Sequence, residues 1–319
     1  KRQAHSHGQN RATVYRLALT WNPNMSNLYQ RKLSLAGINI AAMSVDDLRA
    51  LVRKILDGKI HGVCFSPYVE GQGPGTQIDA EQIRERLAFI QPYVHWIRTF
   101  ACSEGNELIP AIAKEAGLKT MVGVWLDDNK EQNELEIANA IEIAKAGHAD
   151  VLGVGNEVLL RGDLTEGELI DYINRVKSAV DGIDVGYVDA YFEFEVHPSV
   201  ADACDVILTN CYPFWEGCPA EYALLYMKEM YRRAQAAGRG KRVIVSETGW
   251  PNIGTPTDGA VPSFENAIKY FVDTFQWAEQ DNIEMFYFSS FDETWKVDAE
   301  GDVGAYWGIW DKDGKLKYV

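Results

Sequence analysis

The chain has 319 residues, enough for one large domain or two domains of ordinary size. Hydrophobic residues make up 46% and charged residues 24%, which is typical of a soluble globular protein, and no apolar run approaches the roughly eighteen residues of a membrane helix. The 31 Lys and Arg residues against 46 Asp and Glu residues give a net charge of −15, which disfavours nucleic acid and anionic membranes as partners and leaves a neutral substrate.

Five cysteines lie along the chain without a CxxC pair or a tight cluster with histidine, so no structural zinc site is predicted. The odd number argues against a complete disulfide framework. Cys211 and Cys218 could close a small loop, but buried thiols are the favoured state of the set, which is Cys64, Cys102, Cys204, Cys211 and Cys218.

Residues 1–58 are predicted to be an N-terminal extension. Residues 1–11 are basic, polar and aperiodic, which predicts a disordered tail, and no signal-peptide pattern is visible. Residues 12–43 contain apolar clusters that do not define an element. Ser44-Val45-Asp46-Asp47 then has the pattern of a capping box and predicts a helix through Leu56. The extension could be a linker trimmed from a secretion or membrane anchor, or a strap on the outside of the main domain.

From residue 59 onward, apolar segments of strand length alternate with amphipathic helical segments, roughly thirty residues apart. This alternation indicates right-handed βαβ units and a parallel sheet. Strands are predicted at residues 60–65, 96–101, 119–126, 149–155, 183–188, 205–210, 242–246 and 283–289. Helices are predicted at residues 80–90, 107–116, 131–146, 166–180, 220–237 and 264–280.

Eight such units in residues 59–319 predict a (β/α)₈ barrel. An open doubly wound sheet is the alternative, but it would require a Gly-x-Gly-x-x-Gly loop after an early strand, which is absent there. Residues 71–75 are rich in glycine. Pro74 and the missing lysine favour a surface loop over a phosphate-binding loop.

Two glutamates stand at strand ends, where a barrel carries its chemistry. Glu157 follows the fourth predicted strand and Glu247 the seventh, which places them across the barrel mouth. Glycosidic cleavage needs such a pair, one protonated to donate to the leaving oxygen and one ionised to attack or to activate water. Asn156 could bind a sugar hydroxyl and orient Glu157. The alternative is that either glutamate is an ion-pair partner of Arg98 or Lys296.

The segments around these glutamates resemble the two signature motifs of glycoside hydrolase family 17. They are Val154-Gly155-Asn156-Glu157-Val158 and Ser246-Glu247-Thr248-Gly249-Trp250-Pro251. Phe291-Asp292-Glu293 with Trp295-Lys296, followed by Trp307-Gly308, is similar to the last strand and closing segment of that family. The resemblance covers residues 60–319 and not residues 1–58. It implies a (β/α)₈ catalytic domain, a β-1,3-glucan substrate and a retaining mechanism.

The resemblance also implies individual roles. Glu157 matches the acid/base and Glu247 the nucleophile, whereas Glu293, Lys296 and Glu300 match the charged residues that support the nucleophile. The chemical properties of these residues lead to the same roles. Lys296 would keep Glu247 ionised, and burial beside a second carboxylate would raise the pKa of Glu157. A retaining outcome requires the two carboxyl groups to lie about 5–5.5 Å apart.

Other candidates for substrate binding are aromatic residues and one arginine. The aromatic rings would stack on sugars, with core packing as the alternative, and they are Tyr68, Trp125, Tyr212, Phe214, Trp215, Trp250 and Trp307. Trp250 and Tyr212 are favoured because strand-to-loop junctions face the cleft. Arg98 is expected to orient a carboxylate of the site rather than to contact substrate. Asp127, Asp189 and Asp292 are expected on the polar rim.

These features predict an endo-acting β-1,3-glucan hydrolase that works by double displacement and needs no metal or cofactor. A glucanosyltransferase would use the same two glutamates, and a non-catalytic glucan-binding barrel is expected to lack one of them. A barrel enzyme for phosphorylated metabolites would need a basic phosphate site after strands seven and eight. The expected partner is a β-1,3-glucan oligosaccharide or polysaccharide. A monomer is favoured, and the substrate class favours a secreted or periplasmic location.

Overall fold

Eight parallel strands form a closed barrel in the computed structural model, which describes residues 40–319. Each strand pairs with its neighbours in the sequence, and the last strand closes the ring on the first through Gly62 opposite Phe286 and Val63 opposite Tyr287. The strands are β1 (Ile60–Cys64), β2 (Val94–Arg98), β3 (Lys119–Val124), β4 (Val151–Asn156), β5 (Asp184–Ala190), β6 (Val206–Asn210), β7 (Arg242–Thr248) and β8 (Met285–Tyr287). The predicted (β/α)₈ barrel is confirmed.

Helices connect successive strands and pack against them. In chain order they are α1 (Val45–Asp57), α2 (Ala80–Ile90), α3 (Ile109–Glu115), α4 (Lys130–Lys145), α5 (Val158–Arg161), α6 (Glu166–Ala179), α7 (Glu193–Val196), α8 (Pro198–Ala203), α9 (Ala223–Gly238), α10 (Phe264–Asp281) and α11 (Val297–Glu300). Several begin where a side-chain oxygen accepts a backbone N–H of the first turn, as at Ser44, Asp79, Asn129, Thr165 and Ser263.

The predicted elements overlap those of the structure and differ mainly at their ends. The second strand begins at Val94 instead of residue 96, and the eighth is limited to Met285–Tyr287. The third helix begins at Ile109, because Asn106–Leu108 forms a 3₁₀ turn and Pro110 suits the first helical turn. The short helices α5, α7, α8 and α11 were not predicted, because so few residues do not show a helical period.

The helix α1 packs along α10 within the compact unit that spans Ile40–Val319. Its predicted cap is present, because the Asp47 amide donates to the Ser44 hydroxyl at 3.2 Å. The proposed domain boundary between residues 58 and 59 stays a prediction. The expectations for residues 1–39 lie outside the described residues.

The core follows from strands that are covered on both faces. All residues of β6 are buried, for example, as parallel strands under helices require. Cys64, Cys102, Cys204 and Cys211 are buried free thiols, and Cys218 is a partly exposed free thiol. Within residues 40–319, no helix combines the length and the apolar character needed to cross a membrane.

Candidate active site

An irregular end of β4 presents Glu157 at the barrel mouth. The pairing of β4 with β5 shifts between Gly153 and Asn156. Gly155 has a φ of +84° and Glu157 a φ of +53°, both in the left-handed region that favours glycine. The Glu157 amide still donates to the Val188 carbonyl oxygen at 2.8 Å. Glu157 is therefore tied to β5 by its backbone while its side chain lines a cleft.

Glu247 lies at the end of β7 and is held by two hydrogen bonds. The Arg98 guanidinium donates to Oε1, and the Tyr212 hydroxyl donates to Oε2 at 2.6 Å. Burial, reinforced by the Glu247 carboxylate, raises the pKa of Tyr212 well above its usual range, so the phenol stays a donor. An ionised carboxylate is the form that both donors bind best.

Arg98 is a buried cation that connects strand ends. Its side chain is 1% exposed, and its second terminal nitrogen donates to Asn156 Oδ1 at 2.6 Å. Burial alone would lower the pKa of Arg98, but the interactions with Glu247 and Cys64 together outweigh burial and raise it. The charged guanidinium thus fixes Glu247 and Asn156 relative to each other from behind the cleft.

Glu157 has an environment unlike that of Glu247. Its Oε1 accepts from the side-chain Nδ2 of Asn210 at 2.7 Å, and Oδ1 of the same side chain accepts from the Ser246 hydroxyl at 2.8 Å. Burial raises the pKa of Glu157, and the negative charge of Glu247 raises it further. The raised pKa favours a protonated Glu157, whereas Glu247 binds the Arg98 cation. A general acid must hold a proton and a nucleophile must be ionised, so the two environments suit these two roles.

Both glutamates line one cleft of about 390 Å³. Its walls combine carboxyl groups, an amide and aromatic rings, which suits a neutral ligand with hydroxyl groups and flat ring faces. The lining residues are Glu157, Leu160, Ala190, Tyr191, Phe192, Asn210, Tyr212, Trp215, Glu216, Glu247, Phe288 and Glu300.

The BtgE/BtgC glycoside hydrolase domain matches residues 62–308 of this chain. The chain belongs to this family of glycoside hydrolases. A crystal structure of a glycoside hydrolase family 17 beta-1,3-glucanosyltransferase from Rhizomucor miehei is 30% identical, has a TM-score of 0.74, and matches over 82% of this chain and 96% of that one. The resemblance to family 17 is therefore confirmed.

Curated relatives with similar sequences are named as glucan 1,3-beta-glucosidases or glucan endo-1,3-beta-glucosidases. The glucan 1,3-beta-glucosidase of Candida albicans is 29% identical over 270 residues, which cover 76% of this chain and 87% of the relative. The glucan endo-1,3-beta-glucosidase of Emericella nidulans is 28% identical over 262 residues, which cover 72% of this chain and 40% of the relative. An active-site mutant of the Rhizomucor miehei enzyme forms a complex with laminaritriose.

In this family 17 enzyme, the cation bound to Glu247 is Arg98. The ammonium of Lys296 pairs with Glu293 Oε2 at 2.9 Å and also interacts electrostatically with Glu247, so its contribution to keeping Glu247 ionised stays a prediction. Both members of that pair are buried. Glu300 borders the cleft, and burial raises its pKa to about 7.

Two of the predicted aromatic residues border the cleft. Tyr212 lines it and binds Glu247, and Trp215 lines it with 40% of its surface exposed. Phe214, Trp250 and Trp307 are 0%, 0% and 1% exposed. They have no free face for a sugar, so their prediction as sugar platforms is corrected.

Trp250 is buried because the loop after β7 turns back against the barrel. A Cβ at Gly249 would lie 2.1 Å from the Phe288 carbonyl oxygen, so only glycine permits this approach. The Trp250 indole then donates to the Val261 carbonyl oxygen at 3.1 Å, and its ring packs against Tyr270.

Tyr68 and Trp125 are half-buried and lie outside the lining of this cleft. The Tyr68 hydroxyl accepts a hydrogen bond from the side-chain amide of Asn106 at 3.3 Å. The Arg161 guanidinium lies 4.5 Å from the centre of the Trp125 ring. Their role as sugar platforms stays a prediction.

Several cleft residues were not predicted from the sequence. Asn210 could have been found, because it ends the buried strand β6 as Glu157 and Glu247 end their strands. The others lie mostly in loops and short helices, whose direction the sequence does not reveal, and they are Leu160, Ala190, Tyr191, Phe192, Glu216 and Phe288.

The substitution Arg98→Met is expected to lower the free energy of unfolding by about 3–5 kcal/mol, because it leaves the Glu247 carboxylate buried without its cation. The two side chains are only 1% and 8% exposed. Urea denaturation measures the change. The double variant Arg98→Met/Glu247→Gln should lose less, since it removes both charges. A loss below about 1 kcal/mol in the single variant, typical of surface pairs, would contradict this account of the pair.

Proposed function

We propose that the protein is a retaining endo-β-1,3-glucan hydrolase, with Glu247 as nucleophile and Glu157 as acid/base. The observation that carries the proposal is the pair of carboxyl groups in one cleft, one bound by a cation and one with a raised pKa. The names of the relatives, which are glucan 1,3-beta-glucosidases and a beta-1,3-glucanosyltransferase, support β-1,3-glucan as the substrate class.

In the first step, a carboxylate oxygen of Glu247 attacks the anomeric carbon. The bond to the leaving sugar oxygen breaks, and Glu157 gives its proton to that oxygen. Arg98 and Tyr212 orient the attacking carboxylate through their hydrogen bonds. The products of this step are a glycosyl ester on Glu247, a shortened glucan and an ionised Glu157.

In the second step, the ionised Glu157 removes a proton from water, and the water oxygen attacks the anomeric carbon. The ester bond to Glu247 breaks, and the sugar leaves with its original β configuration after two inversions. The Asn210 amide stabilises Glu157 in this half-reaction, because a hydrogen-bond donor favours the ionised carboxylate. Both glutamates and their partners come from one chain, so the enzyme is proposed to act as a monomer.

A β-1,3-glucanosyltransferase is the second candidate, favoured by the similarity to the Rhizomucor miehei enzyme. It would differ only in the second step, where a sugar hydroxyl replaces water. The exposed indole of Trp215 in the cleft is a surface on which an acceptor sugar could stack.

Product analysis on a soluble β-1,3-glucan tests the proposal, with oligosaccharide sizes and the anomeric configuration followed by NMR. Shorter products that first appear as β anomers are expected. Products longer than the donor oligosaccharide would identify the transferase. Products that first appear as α anomers would contradict the retaining mechanism, and unchanged glucan would contradict catalysis. A polymeric glucan substrate also favours a secreted or periplasmic location, which fractionation of the producing cells would test.

The pKa of Glu157 is expected to fall when Glu247 is replaced by glutamine, because a neighbouring negative charge is removed. Since Glu157 must be protonated to act as the acid, kcat/KM of the native enzyme should fall as the pH rises through this raised pKa. Carboxyl ¹³C NMR of the Glu247→Gln variant measures the pKa, and Glu157→Gln assigns the resonance. An unchanged or higher pKa in Glu247→Gln would show that the two carboxyl groups do not interact.

A further inference from the structure

The strand β5 contains two buried polar side chains that the proposed reaction does not use. Tyr187 and Asp189 are each 0% exposed, which corrects the expectation that Asp189 lies on the polar rim. They are two residues apart on one strand, so their side chains lie on the same face. The Tyr187 hydroxyl donates directly to Asp189 Oδ2. A buried carboxyl group in a barrel wall costs free energy, so its partners indicate what it does.

Besides the Ala190 amide, which donates to Asp189 Oδ1 at 2.7 Å, those partners are the second and third amides after Glu157. The Tyr187 hydroxyl accepts from the Leu159 amide at 3.0 Å, and Asp189 Oδ2 is 3.5 Å from the Leu160 amide. These amides belong to the first turn of α5, where N–H groups have no partner within the helix. The same short helix closes on Glu157 itself, because the Arg161 amide donates to the Glu157 carbonyl oxygen at 2.8 Å.

The backbone of Glu157 needs such support. A non-glycine residue with a φ of +53° brings its Cβ close to the following carbonyl oxygen, so it stays in the left-handed region only when its surroundings hold it there. On one side the Glu157 amide is bound to Val188 of β5, and on the other side Tyr187 and Asp189 hold the turn that follows. Three consecutive residues of β5 thus fix the position from which the Glu157 carboxyl enters the cleft.

We propose that Tyr187 and Asp189 are positioning residues for the acid/base Glu157, acting through the backbone of α5. The inference rests on the proposed function. It gives the buried pair a role in the protonation of the leaving group, and no role in nucleophilic attack, because Glu247 is held by Arg98 on β2 and by Tyr212 in the loop after β6.

The pair also contributes electrostatically. Burial raises the pKa of Asp189 to about 7, with the hydrogen bonds from Tyr187 and the Ala190 amide acting to lower it and the charges of Glu157 and Glu193 acting to raise it. When Asp189 ionises, its negative charge disfavours a second negative charge on Glu157.

The test compares two substrates in the variants Tyr187→Phe and Asp189→Asn. A laminari-oligosaccharide has a poor leaving group that requires the acid, whereas a 2,4-dinitrophenyl β-laminaribioside has one that leaves without a proton. Because kcat/KM reports the first bond cleavage, we expect a loss of about 10- to 100-fold for the oligosaccharide, the scale of a misplaced catalytic group. The dinitrophenyl substrate should change by no more than a few-fold.

The matched control is Tyr318→Phe, because the hydroxyl of this buried tyrosine has no hydrogen-bond partner within residues 40–319. It should leave both substrates unaffected. Equal losses on both substrates in Tyr187→Phe and Asp189→Asn, or no loss on either, would overturn the positioning role. A native enzyme that cleaves neither substrate would overturn the proposed function instead.

Discussion

Replacing Glu247 by glycine is expected to lower kcat/KM for laminari-oligosaccharides by about 10⁵-fold or more, the scale at which loss of a nucleophile abolishes covalent catalysis. The substitution removes the atom that attacks the anomeric carbon and leaves the Arg98 guanidinium without its buried partner. Sodium azide should restore part of the activity on the dinitrophenyl laminaribioside, because a small anion can occupy the space beside Arg98.

The product of that rescue identifies the role. Azide would attack opposite the leaving group in a single displacement, so the glycosyl azide from Glu247→Gly should have the α configuration. A β-glycosyl azide would show that a nucleophile other than Glu247 remains in place. Glu142→Gln, an exposed position on α4, is the matched control and should keep native activity without azide.

Glu157→Gln is expected to lower kcat/KM for laminari-oligosaccharides by about 10³- to 10⁴-fold, toward the upper range for a general acid. The glutamine keeps the shape of the side chain and cannot donate a carboxylic proton. Binding of laminaritriose, measured by calorimetry, should stay within a few-fold of the native value. The burst of dinitrophenol from the activated substrate should persist, because that leaving group needs no acid.

The azide experiment again separates the roles. In Glu157→Ala, Glu247 still forms the glycosyl ester, and azide would then attack from the opposite face to give a β-glycosyl azide. An α-glycosyl azide would exchange the two assignments. Native rates on laminari-oligosaccharides in Glu157→Gln would remove Glu157 from the mechanism.

The barrel and the position of its two glutamates could be predicted because both depend on local patterns. Strand-length apolar runs that alternate with helical segments define the βα units, and a polar residue at the end of such a run marks the barrel mouth. Glu157 and Glu247 follow this rule, and both line the cleft. Asn210 follows it as well and could have been chosen on the same ground.

The partners of the glutamates could be predicted only in part: Arg98 does orient a carboxylate of the site as expected, but which carboxylate it binds depends on side-chain reach across the barrel. Arg98 and Lys296 both carry a charge near strand ends, and the sequence does not show that the first binds Glu247 and the second binds Glu293. Trp250 was expected in the cleft, but the close approach at Gly249 folds its ring into the core. The left-handed turn at Glu157 likewise depends on Tyr187 and Asp189, which are distant in sequence.

Trapping of the glycosyl-enzyme tests the central claim most directly. In a 2-deoxy-2-fluoro-β-laminaribiosyl fluoride, the 2-fluorine slows both steps and the fluoride leaves without an acid, so the intermediate accumulates. Peptide mapping by tandem mass spectrometry should find one disaccharide equivalent on Glu247, within the sequence Ser246-Glu247-Thr248-Gly249-Trp250-Pro251. A label on Glu157 would contradict the assignment of roles, and an enzyme that turns over this reagent to an α-configured product without being labelled would contradict double displacement.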